Sequence, residues 1–182
     1  TDVVSIWLKG RKLHRLKVRG GQFFAWRFLT RELWWHAHPY SLSAAPDGQF
    51  LRITVKDLGD HSGSLAGLKV GTRVIAEGPY GAFTAAHRHG DEVVLIAAGV
   101  GIAPIRSVME ELPREAKVTV LFRARNHDEV LLKRELDTMA QRPNTTVRYL
   151  VGNRHEHPLD ARSLLRLVPT IANADIYICG PD

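Results

Sequence analysis

"EVVLIAAGVGIAP", residues 92–104, decides how the second half of this 182-residue chain folds. Its first part, 92–99, is almost unbroken apolar sequence, as a strand buried on both faces requires. Its second part, GVGIAP at 99–104, closes that strand and opens a helix. The apolar side of that helix is Ile105, Val108, Met109 and Leu112, and Pro113 stops it. Glycines at such a turn let backbone N–H groups approach a pyrophosphate, and a helix N-terminus favours the negative charge. Pro104 stands where the usual dinucleotide fingerprint has glycine. In the first helical turn its missing N–H needs no partner. A bare tight turn would use the same glycines.

The same grammar continues downstream. KVTVLF (117–122) reads as a strand, 128–140 as a helix carrying Leu132, Leu136 and Met139, and TVRYLV (146–151) as a strand. A helix near 160–168 is capped by Asp160 and stopped by Pro169, and ADIYIC (174–179) is the last strand. Alternating β and α units imply a parallel sheet with helices on both faces. Cys179-Gly180-Pro181 then ends a strand on the sheet edge that carries the glycine loop, and ligands bind outside that edge.

Upstream, residues 1–86 read as β. The predicted segments are Val3–Lys9, a loosely alternating 13–18, the aromatic-rich 22–29, Phe50–Lys56 and 72–78, with Pro79-Tyr80-Gly81 as a turn. In Phe50–Lys56, Leu51, Ile53 and Val55 share one face, and Arg52, Thr54 and Lys56 the other. Strands at this spacing suggest a small antiparallel barrel. The fold class is therefore an antiparallel β-barrel (1–87) followed by a parallel-sheet α/β domain (88–182), joined by the polar link AAHRHGDE.

Composition narrows the function classes. Hydrophobic residues make up 45% of the chain, enough for a packed core. No apolar run reaches the ~20 residues of a membrane helix. The opening TDVVSIWLKG is not a signal peptide, and the lack of an initial methionine reads as a piece of a longer protein. Cys179 is the only cysteine, which excludes an intrachain disulfide and a multi-cysteine metal site and suits a reducing compartment. His87/His89 and His155/His157 lack neighbouring carboxylate or thiolate ligands, so no metal is expected. Net charge is +6, much of it in KGRKLHRLKVRG (9–20). Without interleaved aromatics that stretch is not a nucleic-acid stripe. It reads as a solvated hairpin, which in a membrane-bound protein would face anionic headgroups.

Four motifs in series carry a resemblance: His38-Pro39-Tyr40-Ser41, Gly59-Asp60-His61-Ser62, Gly99-Val100-Gly101-Ile102-Ala103-Pro104 and Cys179-Gly180-Pro181. Over nearly its whole length the chain resembles the ferredoxin–NADP reductase superfamily, an FAD-binding barrel followed by a pyridine-nucleotide domain. His38 replaces the arginine of the Arg-x-Tyr-Ser pattern, which is similar to the version in membrane ferric reductases and NADPH oxidases. The resemblance implies that Tyr40 packs on the isoalloxazine, Ser41 bonds near flavin N5, Pro39 stiffens the approach and His38 stands near the ribityl–phosphate arm. It places Val55, Lys56, Gly59, His61 and Ser62 against FAD, and Gly99, Gly101, Pro104, Cys179, Gly180 and Pro181 against the nicotinamide nucleotide, with Ser41 and Cys179 nearest the chemistry. Against family pattern, the barrel's opening strand and the terminal helix and aromatic are missing.

Several residues keep two readings. Ser62 caps a short helix, SGSLAGL, with or without a pyrophosphate beyond it. Lys56 neutralises a phosphate or is a surface lysine. Arg123, Arg125 and Arg154 follow strand ends where an adenosine ribose would lie, and arginine there favours NADPH over NADH by clasping a 2′-phosphate; Arg125 with Arg154 is the preferred pair. Hydride transfer to flavin asks for placement rather than acid–base groups, consistent with no triad or metal cluster. The leading expectation is an NADPH-oxidising FAD domain at the cytoplasmic face of a membrane, passing single electrons to haem in an attached membrane domain and on to ferric iron or oxygen. The alternatives are a soluble flavin or ferredoxin reductase, and a non-catalytic nucleotide-binding module.

Overall fold

A computed structural model describes residues 3–56 and 65–181. The β half holds β1 (Val3–Lys9), β2 (Phe23–Phe28), β3 (His38–Ser41), β4 (Phe50–Lys56) and β5 (Val74–Tyr80). β1 pairs with β4, and β3-β2-β5 form a second antiparallel sheet. Among the described residues, an isolated bridge from Leu42 to Ile53 joins the two sheets. Alternation aims Phe24, Trp26 and Phe28 of β2 inward to meet Leu51, Ile53 and Val55 of β4 in one core.

The second half holds β6 (Glu92–Ala98), α1 (Ile102–Glu111), β7 (Lys117–Ala124), α2 (Lys133–Met139), β8 (Thr145–Val151), α3 (Ala161–Leu167) and β9 (Asp175–Cys179). The strands are parallel in the order β8-β7-β6-β9, and helices cover both faces, as the alternating grammar predicts. One face buries Val93, Leu95 and Val120 under α1 and α2; the other buries Val94, Ile96 and Leu121 against the α3 region. The chain leaves β6 toward β7 but returns later to place β9 on the other flank. The switch point, where such sheets bind ligands, therefore lies between the ends of β6 and β9.

Three local expectations need correction. Residues 13–18 are no strand: Lys12 turns left-handed at φ 64°, and Leu13–Arg15 form a 3-10 turn. The basic segment 9–20 is thus not a hairpin, although most of it is exposed. The helix expected over 128–140 begins at Lys133, because Leu132 sits at φ 54° and a separate 3-10 turn occupies His127–Glu129. Pro79-Tyr80 belongs to β5 rather than to a turn, since Tyr80 pairs with Phe23.

The polar face of β4 is not at solvent. Arg52 and Thr54 are 5% and 4% exposed. That face packs toward the second domain, and α1 is the main strut. Glu111 accepts from Gly20 N–H at 2.7 Å and Ser107 Oγ from Gly21 N–H at 3.2 Å. A Cβ on Gly20 would fall 2.4 Å from the Ser107 carbonyl oxygen, so only glycine permits this approach. Tyr177 of β9 donates to Thr84 O at 3.0 Å and meets Phe83 edge-on.

Candidate functional site

A crevice of about 1120 Å³ opens between the two domains at the switch point. One wall is Pro39, Tyr40 and Ser41 of β3 with Thr54 and Lys56 of β4. Trp26 fixes β3 there, donating from Nε1 to the Tyr40 carbonyl at 2.9 Å. Antiparallel register places Tyr40 opposite Phe24 and Ser41 opposite Phe23, so the Tyr40 ring rests in part on the β-domain core at the edge of the crevice. Burial raises the Tyr40 pKa, so the phenol stays neutral.

The facing wall is the glycine loop, Ala98 to Pro104, together with Cys179, Gly180 and Pro181. These segments are locked together. A Cβ on Gly101 would stand 2.2 Å from the Cys179 carbonyl oxygen, and one on Gly180 would stand 2.9 Å from Ala98 Cβ. Gly99 differs: its φ is +54°, and its Cβ position has no atom within 4 Å. That backbone faces open space, a cradle suited to a phosphate group. The Cys179 thiol is half-buried, and burial raises its pKa, which keeps it protonated.

A third side is cationic. Arg123 and Arg125 follow β7 and Arg154 follows β8, and all three line the crevice. Asn126 holds the turn after β7 by accepting from Glu129 N–H at 3.0 Å. With Lys56 on the first wall, four basic side chains border one cavity, which suits a ligand rich in phosphates.

Of the predicted site residues, Pro39, Tyr40, Ser41, Lys56, Gly99, Gly101, Pro104, Arg125, Arg154, Cys179, Gly180 and Pro181 all line this cavity. His38 does not. Its ring shares the face of β3 that carries Tyr40 and stacks on it, with centroids 6.0 Å apart. Val55 does not line the cavity either: at 3% exposure its side chain belongs to the β-domain core, and alternation gives the crevice to Thr54 and Lys56. Gly59, His61 and Ser62 lie outside the described residues. Thr54, Glu129 and Asn153 line the cavity without having been predicted. Only the parity of Thr54 with Lys56 in β4 could have signalled any of them.

One member of each histidine pair has a local bond, while His89, against expectation, meets a carboxylate, its Nδ1 3.4 Å from Asp175 Oδ1. His87 Nδ1 lies 3.0 Å from Thr84 Oγ1, and His157 Nε2 lies 3.0 Å from Val151 O. Among the described residues no cluster of metal-ligating side chains occurs, and no helix is long and apolar enough to cross a membrane.

Comparison with known proteins agrees with this geometry. Residues 1–84 match the FAD-binding domain family, and residues 95–182 match the oxidoreductase NAD-binding domain family. The flavohemoprotein of Bacillus subtilis is 28% identical over 98% of this chain and 49% of its own length. The glycine betaine monooxygenase reductase subunit of Pseudomonas aeruginosa is 29% identical over 85% of this chain and 48% of its own. The chain thus spans about half the length of the curated relatives it matches. Among solved structures, the FAD/NAD-binding domain of nitric oxide dioxygenase from Vibrio cholerae superposes with a TM-score of 0.73 at 20% identity, covering 100% of this chain and 94% of that one. At that identity the likeness speaks for the fold, an antiparallel β domain followed by a parallel-sheet α/β domain. Both family matches, the shared crevice and the motifs in order agree: the chain is an FAD-binding domain followed by an oxidoreductase NAD-binding domain, similar in fold to the ferredoxin–NADP reductases.

Proposed function

We propose that this domain is an FAD-dependent NAD(P)H oxidoreductase, with NADPH as the preferred donor, serving a one-electron acceptor in an attached domain or redox partner. The observation that carries the reading is one crevice bordered by both the Tyr40–Ser41 strand and the Gly99–Pro104 loop. When bound, FAD supplies a centre that accepts a hydride, two electrons and a proton, from the dinucleotide and can release electrons singly.

The chain's own residues would then hold and orient. Tyr40 offers a neutral aromatic face on the β wall, and the Ser41 hydroxyl stands beside it as a hydrogen-bond donor or acceptor. Lys56 is placed to offset phosphate charge. Gly99 and Gly101 present backbone N–H groups at the start of α1, and Pro104 gives up an N–H that the first turn does not need. Cys179, with its proton retained, lies on the same wall as a neutral group. Arg125 and Arg154 supply the guanidinium forks that a 2′-phosphate requires, which supports NADPH; Glu129 in the same wall offers an acceptor for ribose hydroxyls.

The relatives include a flavohemoprotein and an oxygenase reductase subunit, which favours an acceptor of their kind over a membrane haem. The membrane reading, with a haem-bearing domain leading to ferric iron or oxygen at the cytoplasmic face, is supported by the histidine that opens His38-Pro39-Tyr40-Ser41. Long apolar helices elsewhere in the encoding reading frame would favour it. The enzyme itself is tested by reconstitution with FAD, then anaerobic mixing with NADPH or NADH. Stoichiometric FAD uptake and bleaching of the flavin absorbance, faster with NADPH, is the expected result. Failure to retain FAD, or full occupancy with no bleaching by either donor, would remove the proposal.

A further inference from the structure

The crevice needs two domains held at one spacing, and a group of charges, its arginines buried and its carboxylates partly so, sits where that spacing is set. Arg52 on β4 is 5% exposed and Arg106 on α1 is 9% exposed. Glu135 on α2 stands between them. Its carboxylate oxygens lie 2.9 and 3.0 Å from one Arg52 guanidinium nitrogen, and one of them lies 2.8 Å from Arg106 Nε. Glu110 closes the group, pairing with Arg106 and accepting from Ala45 N–H at 2.7 Å. Ser43 is shared: its hydroxyl takes Arg52 Nε at 2.9 Å, and its carbonyl accepts from both guanidinium groups. Trp7 stacks over Arg52 with the guanidinium 5.3 Å from its ring centre.

Each anchor is continuous with a wall of the crevice. Arg52 shares a strand face with Thr54 and Lys56. Arg106 lies in the helix whose first turn holds Ala103 and Pro104. Glu135 follows the strand that delivers Arg123 and Arg125. We infer that Arg52, Arg106, Glu135 and Glu110 form an interdomain clamp that sets the gap between the flavin-side and nicotinamide-side walls. They are positioning residues, and none of the four lines the cavity.

The charge count gives the clamp a direction. Two guanidiniums and two carboxylates leave no net charge. Glu135→Gln leaves Arg52 and Arg106 facing each other with one carboxylate, Glu110 on Arg106, for two cations. Their repulsion at a buried site would push β4 from α1 and open the gap. Removing one cation as well, in Arg52→Gln/Glu135→Gln, restores the balance through Arg106 and Glu110. A loss that a second loss repairs is not what a generic packing defect gives.

This inference rests on the oxidoreductase reading above, so the test separates them. FAD-reconstituted wild type, Glu135→Gln and the double variant are compared for FAD affinity, NADP⁺ affinity, flavin bleaching by NADPH and hydrogen exchange of the FAD-free protein. For Glu135→Gln the expected result is unchanged affinity for each nucleotide. Bleaching should be slowed roughly 10- to 100-fold, as about 1 Å of misplacement produces, with faster exchange at the Gly20 and Gly21 amides. The double variant should recover most of both losses. Wild-type bleaching and exchange in Glu135→Gln, or no recovery in the double variant, would overturn the clamp. Wild type that binds FAD but is never bleached would instead sink the oxidoreductase reading, and the exchange data would still decide the clamp.

Discussion

Gly101→Ala probes the joint between the glycine loop and the end of β9. The new Cβ would stand 2.2 Å from the Cys179 carbonyl oxygen, 2.5 Å from its carbon and 2.8 Å from Gly180 N. Ordinary contact begins near 3.4 Å, so backbone on one side must retreat by more than an ångström. No flexible side chain is available to yield, because all three atoms are main chain. Overpacking of this kind costs about 3 kcal/mol, the upper part of the usual range. For a chain of this size that is roughly 6–12 °C in Tm. Gly99→Ala is the internal control. Its Cβ meets nothing, and the penalty is the left-handed backbone alone, about 1 kcal/mol. Thermal unfolding and NADP⁺ titration of both variants would be read together. Gly101→Ala is expected to lose the larger Tm increment and about tenfold in NADP⁺ affinity, the equivalent of ~1.4 kcal/mol, while FAD uptake persists. Equal Tm values for the two variants, or unchanged NADP⁺ binding in Gly101→Ala, would refute the claim that this contact shapes the nucleotide wall.

Three further outcomes follow from the same structure. Trp26→Phe leaves the Tyr40 carbonyl without its 2.9 Å donor, and should cost about 1–3 kcal/mol in urea unfolding while weakening FAD binding. Arg125→Ala should raise the KM for NADPH about tenfold or more, the loss of a charged hydrogen bond, and leave that for NADH nearly unchanged; equal effects on both donors would place the 2′-phosphate elsewhere. Asp175 accepts from Gly90 N–H at 2.7 Å and His89 N–H at 2.8 Å, and these bonds depress its pKa. Its contribution is therefore complete above the ordinary carboxylate value of about 3.9 and is lost as pH falls through the lower folded value. The stability gap between wild type and Asp175→Asn, measured as urea midpoints, should shrink below about pH 4 and hold steady at neutral pH.

The second domain was legible because its signals agree. The doubly buried run 92–98, the glycine turn and the apolar side of α1 each call for a strand feeding a helix, and the structure places all three as read. Asp160 capping α3 through Ser163 N–H, at 2.8 Å, is a local event that sequence carries whole. Backbone sign was not legible. Lys12 and Leu132 adopt positive φ without being glycine or asparagine, so an expected strand and the first turn of an expected helix were misread. The polar face of β4 shows a different limit. Period-2 alternation separates faces, but it does not say whether the polar one meets water or another domain. Here Arg52 and Thr54 are buried because Glu135 and Ser43 satisfy them, and Glu135 lies 83 residues away along the chain. Parity also explains Val55: resemblance put that stretch of strand beside FAD, but only alternate residues face the crevice.

Whether one crevice takes both nucleotides is decided by a crystal structure of the protein soaked with FAD and NADP⁺. Density is expected for the flavin ring against Tyr40 and Ser41, with the dinucleotide phosphates over Gly99–Gly101 on the opposing wall. Density for either nucleotide outside this crevice, or a flavin ring out of contact with Tyr40 and Ser41, would refute that placement.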